Sequence, residues 1–177
     1  MNQVAHSHCT NILELVETFT DDEFIYIASK FHVGGDLFNY LRKQPNLPLD
    51  EEHAKQIIKQ VATGVQALHK SNIVHRDIKL DNILMTNTNR DASVRIADLG
   101  SAFKISSSKE TSNFQIGTPG YTAPELLLGE NYSFSVDIWS LGALSMMLLG
   151  ATLPFWSEDR QELKRRVCEE PLNLDSE

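Results

Sequence analysis

The run His75-Arg76-Asp77-Ile78-Lys79-Leu80-Asp81-Asn82 is followed by Asp98-Leu99-Gly100 and then by Ala123-Pro124-Glu125. Between the first two lie the short apolar runs Ile83-Leu84-Met85 and Val94-Arg95-Ile96-Ala97, separated by the polar, turn-prone stretch 86–93. Paired antiparallel, these runs bring the entry of the first strand beside the exit of the second. Asn82 and Asp98 stand at those two ends. An amide oxygen and a carboxylate converging there suit a hard divalent cation such as magnesium, which binds few protein groups and relies on phosphate oxygens for the rest. Asp77, a few residues upstream, reaches the same place from the loop.

Those side chains need a scaffold, and the hydrophobic pattern supplies one. Residues 12–19 and 24–28 read as two strands joined by Thr20-Asp21-Asp22, a hairpin signal. Gly34-Gly35 breaks the pattern, and a short helix begins over 36–41. Asp50 is a good N-cap for a longer helix in which Ala54, Ile57, Ile58, Val61, Ala62, Val65 and Leu68 recur at three and four. The polar, serine-rich stretch 101–112 has no period and predicts a loop. Residues 136–149 are apolar almost all round, which predicts a helix buried in the middle of a lobe. A last amphipathic piece covers 158–167.

Composition narrows the function classes. With 177 residues, 41% of them hydrophobic, the chain can bury a core and fits one domain. A net charge of −8 without a basic run argues against nucleic acid as a partner. Two cysteines, Cys9 and Cys168, make no disulfide framework and point to a reducing compartment, here the cytoplasm. The longest apolar stretch, 138–149, is shorter than the roughly 20 residues a membrane-spanning helix needs.

The three motifs, in this order and spacing, resemble those of the eukaryotic protein kinases, of serine/threonine type. The likeness runs along nearly the whole chain and is closest in flavour to the calcium/calmodulin-dependent group. It implies an α+β, protein-kinase-like fold: mostly the helical large lobe (36–177, without its last helices), a hinge (30–35) and a two-strand remnant of the small lobe (1–29). The implied activity is transfer of the γ-phosphate of ATP, with Mg2+, to serine or threonine hydroxyls of protein substrates, with a regulatory protein as a further partner. In family terms Asp77 orients the acceptor hydroxyl and takes its proton, Lys79 neutralises the transferring group, and Thr118 bonds both. Asn82 and Asp98 hold magnesium. Backbone groups near Lys30 and His32 meet the adenine edge, Ser29 gates the back pocket, Asp36 meets the ribose and Leu84 lies under the base. His75 and Leu99 join Leu15 and Val4 in an apolar column. Asp137 accepts backbone amides near His75 and Arg76, and Arg76 pairs with a phosphate on the activation segment. At that segment's commonest acceptor position stands Phe114, with Thr111, Ser112 and Ser106 to Ser108 nearby.

The resemblance also implies missing parts. None of the nine glycines makes a G-x-G-x-x-G loop, and no V-A-I-K lysine is present. Residues 1–7 resemble the tail of the small lobe's regulatory helix, so the expectation is a chain cut from a longer protein and inactive alone. Glu125 resembles a buried carboxylate whose arginine partner lies on the absent helices, a loss expected to cost on the order of 3–5 kcal/mol. The alternative is a truncated, catalytically inactive kinase-like module that binds proteins.

Overall fold

The computed structural model describes residues 9–105 and 116–173. The expectations for residues 1–7, Val4 among them, for Ser106 to Ser108, Thr111, Ser112 and Phe114, and for the last four residues lie outside the described residues. The architecture is α+β. Strands β1 (Leu15–Thr20) and β2 (Ile25–Ser29) form an antiparallel hairpin, followed by α1 (Leu37–Arg42) and α2 (Glu51–Lys70). Next come β3 (Ile73–Val74), β4 (Ile83–Met85), β5 (Val94–Ile96) and β6 (Phe103–Lys104). Helices α3 (Pro124–Leu128), α4 (Ser135–Gly150) and α5 (Arg160–Glu169) complete the described chain.

The helix α2 organises the core. Asp50 caps it, its carboxylate accepting from the His53 amide at 3.1 Å. Glu51 and Glu52 in the first turn and His69 and Lys70 in the last complement the helix dipole. The buried stripe Ala54, Ile57, Val61, Val65 and Leu68 faces β3, β5 and α4, and each of its Ile, Val and Leu side chains contributes roughly 1.5–3 kcal/mol on leaving water. Gly64 lets the helix approach β5: a Cβ there would stand 2.7 Å from Ile96 Cδ1 and 2.8 Å from the Asn11 carbonyl oxygen.

The β4–β5 ladder pairs Ile83 with Ile96, Leu84 with Arg95 and Met85 with Val94. Ile83, Met85, Val94 and Ile96 point into the core while Leu84 and Arg95 are half-buried, the two-residue alternation of a strand with one covered face. The connection from β2 to α1 is pressed onto this hairpin. The Met85 amide donates to the Gly35 carbonyl at 2.8 Å, and a Cβ on Gly34 would lie 2.4 Å from both the Met85 and Asn87 carbonyl oxygens.

Several sequence expectations need correction. The first strand begins at Leu15 rather than residue 12, because Ile12 leaves it to bridge Ile96. The stretch 101–112 is not loop from its start: Phe103 and Lys104 pair with Val74 and Ile73 as β6. The helix α4 is not buried all round, since Ile138 is 56% and Leu149 43% exposed. Glu125 is half-buried and accepts from Ser135 Oγ at 3.0 Å, so the penalty of an unpartnered buried carboxylate does not arise.

One buried group makes stability depend on pH. His53 is 3% exposed, sets its ring edge-on to Tyr40 at 5.9 Å, and among the described residues leaves Nε2 without a partner. Burial, then the Arg90 charge, hold its pKa below the ordinary histidine value, and Asp50 opposes only in part. The unfolded chain therefore binds the proton first. The stability is present above about pH 6.5, the free histidine value, and is lost as pH falls through the lower folded value. His32 is shifted the same way. Thermal melting should accordingly drop between pH 7.5 and pH 5.5, and His53→Phe should remove part of that slope while His32 keeps the rest. An unchanged slope in the variant would contradict this account.

Candidate active site

The loop between β3 and β4 is held from below by Asp137, fully buried on α4. Its Oδ2 accepts from the His75 amide at 2.9 Å and its Oδ1 from the Arg76 amide at 2.8 Å. His69 Nε2, at the end of α2, lies 2.8 Å from Oδ2. A buried carboxylate is tolerable only when bonded in this way. Arg76 takes a left-handed conformation, φ 69°, unusual for a residue with a Cβ and held here by bonds on both sides.

His75 connects this loop to the strand that leads into Asp98. The Asp77 amide approaches His75 Nδ1 at 3.2 Å, so that nitrogen accepts. Nε2 then carries the hydrogen and donates to the Ala97 carbonyl at 3.0 Å. The imidazole, fully buried, thus ties the two acidic segments together.

Above it the polar side chains converge on Asp77. Thr118 Oγ1 donates to Oδ1 at 2.7 Å, while Lys79 Nζ lies 3.0 Å from Oδ2 and donates to Thr118 Oγ1 at 2.8 Å. Asn82 Nδ2 donates to Oδ2 at 3.0 Å and to the Asp77 carbonyl at 2.8 Å. The structure therefore brings Asp77, Lys79, Asn82 and Thr118 into one network. Both Asn82 bonds use its NH2 group, and among the described residues the amide oxygen takes no hydrogen bond.

Asp98 stands at the other end of the ladder: the Ala97 amide donates to the Asn82 carbonyl at 2.8 Å, one residue before it. Its carboxylate is exposed and accepts from the Gly100 amide at 3.1 Å, with a left-handed backbone of φ 56°. Among the described residues no side-chain bond joins Asp98 to Asn82 or Asp77. Two hard oxygen ligands, one amide and one carboxylate, fit a magnesium ion that draws its remaining ligands from water and phosphate.

The residues expected at an adenine site form a second group. Ser29 ends β2 and is exposed, and the Lys30 amide donates to the Glu14 carbonyl at 3.0 Å. The His32 carbonyl accepts from the Gly35 amide at 3.3 Å. Among the described residues this leaves the Lys30 carbonyl and the His32 amide without hydrogen-bond partners, one acceptor and one donor. Asp36 faces Leu84 across an isolated bridge, but both its oxygens, each at 2.7 Å, accept from Asn39 at the start of α1.

Three supports were not read from the sequence. His69 is one, visible there only as a basic residue in a helix's last turn. Tyr132 is another, its hydroxyl 2.6 Å from Arg76 Nη1. Ser140 Oγ, donating to the Tyr121 carbonyl at 2.7 Å, ties α4 to the segment carrying Thr118. Tyr121 itself is a phenol pushed up to about 12 by burial and by the Asp81 charge, so it remains protonated at neutral pH.

Known proteins resemble this chain along most of its length. The protein kinase domain family model matches residues 1–175. A calcium/calmodulin-dependent protein kinase type 1 from Macrobrachium nipponense is 34% identical over 167 residues, covering 94% of this chain and 47% of that protein. A human serine/threonine-protein kinase H2 is 33% identical over 178 residues, covering all of this chain and 45% of its own. A zebrafish (Danio rerio) serine/threonine-protein kinase H1 homolog is 33% identical, with 95% and 40% covered. The chain thus spans less than half the length of these relatives.

Proposed function

This chain belongs to the protein kinase domain family, and from that premise we propose that the protein carrying it transfers the γ-phosphate of ATP to serine or threonine hydroxyls of other proteins. The observation that carries the reading is the carboxylate of Asp77, held by Lys79, Asn82 and Thr118 at 2.7–3.0 Å. A carboxylate offers about four lone-pair sites. Among the described residues Oδ2 receives two donors and Oδ1 one, so Oδ1 keeps a lone pair for an incoming hydroxyl.

In this reading Asp77 orients the acceptor hydroxyl and takes its proton, and Thr118 stops the carboxylate from rotating away. Lys79 is placed to meet negative charge as it develops on the transferring group; fixed charges of this kind need no reorganisation during the reaction. Asn82 and Asp98 would hold Mg2+, which when bound supplies positive charge to the phosphates. The Lys30 carbonyl and His32 amide would take the adenine edge, with Ser29 behind it, Asp36 toward the ribose and Leu84 beneath. The corresponding domain reading is a remnant of the small lobe over 1–29, a hinge over 30–35 and the large lobe, without its last helices, over 36–177. Protein substrates and a regulatory protein are the partners, and the cytoplasm is the place of action, which the two free cysteines support. Among the described residues no helix is long and apolar enough to cross a membrane.

Phosphoamino-acid analysis of the native full-length protein, incubated with radiolabelled ATP and mixed peptides, tests this directly. Phosphoserine and phosphothreonine should appear and phosphotyrosine should not. Mainly phosphotyrosine would refute the specificity. No transfer at all would favour a kinase-like binding module.

A further inference from the structure

We propose that Tyr132 is a positioning residue for the transfer reaction, acting through the guanidinium of Arg76; this rests on the kinase reading above. Arg76 adjoins Asp77 in the chain. Its Nε donates to the Ser101 carbonyl at 2.6 Å, its Nη1 donates to the Tyr132 hydroxyl at 2.6 Å, and its guanidinium lies 5.3 Å from the centre of the Phe103 ring. Among the described residues it pairs with no carboxylate. A charged, half-buried fork is therefore held entirely by neutral groups: a carbonyl, a phenol and an aromatic face.

The three tethers lie on different parts of the fold. Ser101 ends the turn that Asp98 begins, so one guanidinium links the Asp77 loop to the Asp98 segment. Tyr132 comes from the connection between α3 and α4. It is 4% exposed, and its ring packs in a second core with Val74, Ile105, Ala123, Leu126 and Val136. Its ring position is set by that packing and not by Arg76, so the hydroxyl is a fixed point against which the guanidinium is braced. With the hydroxyl removed, Arg76 keeps the Ser101 bond but loses the anchor that fixes its plane. Asp77 and Asp98 can then drift relative to each other. Their mutual placement matters in the transition state, when both ends of the transferring phosphoryl group must be met at once.

The test uses Tyr132→Phe in the native full-length protein, a change that removes one oxygen and leaves the ring in its seat. We expect kcat to fall about tenfold, KM for peptide to stay within about twofold, and the melting temperature to stay within a few degrees, as for removal of a group felt mainly in the transition state. In an Arg76→Gln background the same change should cost nothing further, since the hydroxyl then has nothing to hold. Wild-type turnover in Tyr132→Phe would overturn the inference, and so would an equal loss with Gln at position 76. A large melting shift would also overturn it, because the hydroxyl would then be structural. An inactive wild-type protein would instead remove the kinase reading and this inference with it, so the two failures are told apart.

Discussion

Asp77→Asn should lower phosphoryl transfer by the native full-length protein at least about 100-fold, the scale of a lost acid–base group, while ATP binding persists. The amide keeps the size of the carboxylate, so the cause is chemical. One oxygen becomes an NH2 group that donates, cannot take a proton, and faces donors: either Lys79 and Asn82 or Thr118, depending on its orientation. Asp98→Asn should differ, because Asp98 is exposed and bonds only Gly100 among the described residues. It should weaken binding of magnesium-ATP and raise its KM. Titration of both variants with magnesium-ATP, followed by single-turnover transfer, separates them. Full activity in Asp77→Asn would remove the proposed mechanism.

Asp137→Ala should be the most destabilising single change in the loop's support. It leaves the buried His75 amide, and the half-buried Arg76 amide and His69 Nε2, without their acceptor. Orphaned buried donors cost about 1–3 kcal/mol each, against a typical domain stability of about 5–15 kcal/mol. Asp137→Asn should recover little, since its one oxygen can satisfy one amide while its NH2 confronts the other. Chemical denaturation should therefore show both variants several kcal/mol below wild type, with Asn only slightly better than Ala. An unfolding midpoint within error of wild type for either would show that water or another group replaces the carboxylate.

The parts of the fold legible in the sequence are those with enough residues to display a period. Helix α2 shows its apolar stripe over 20 residues and its cap in Asp50, and both are present. The β4–β5 hairpin could be read because its flanks alternate and because Asn82 and Asp98 give its open end a chemical meaning. By contrast β3 and β6 have two residues each, too few to alternate, and pair across about thirty positions of chain. Helix α3 has only five, announced by Pro124 at its start and a left-handed Gly129 at its end. Among site residues, the resemblance drew attention to Asp77, Lys79, Asn82 and Thr118, and the structure gathers them. His69 and Tyr132 escaped because their significance lies in a bond to a residue far along the chain. The carboxylate of Asp36 suits a ribose hydroxyl in family terms, but the same atoms are excellent helix caps, and in this structure they are used as such.

The way the β1–β2 hairpin is attached has a mechanical consequence. On its entering side the chain is fastened by the Leu13 amide to the Ile96 carbonyl and by the Ile96 amide to the Asn11 carbonyl, both at 2.8 Å. On its leaving side it is fastened at Gly35 and Asp36 to Met85 and Leu84. Both moorings sit on one two-stranded ladder, so that ladder serves as an axle and the hairpin as an arm. Swinging the arm without breaking either mooring twists β4 against β5, whose open end, where Ile83 pairs with Ile96, leads to Asn82 and Asp98. Torque on the arm is thereby delivered as a change in the spacing of two oxygen-bearing side chains, through a shaft only three residues long on each side.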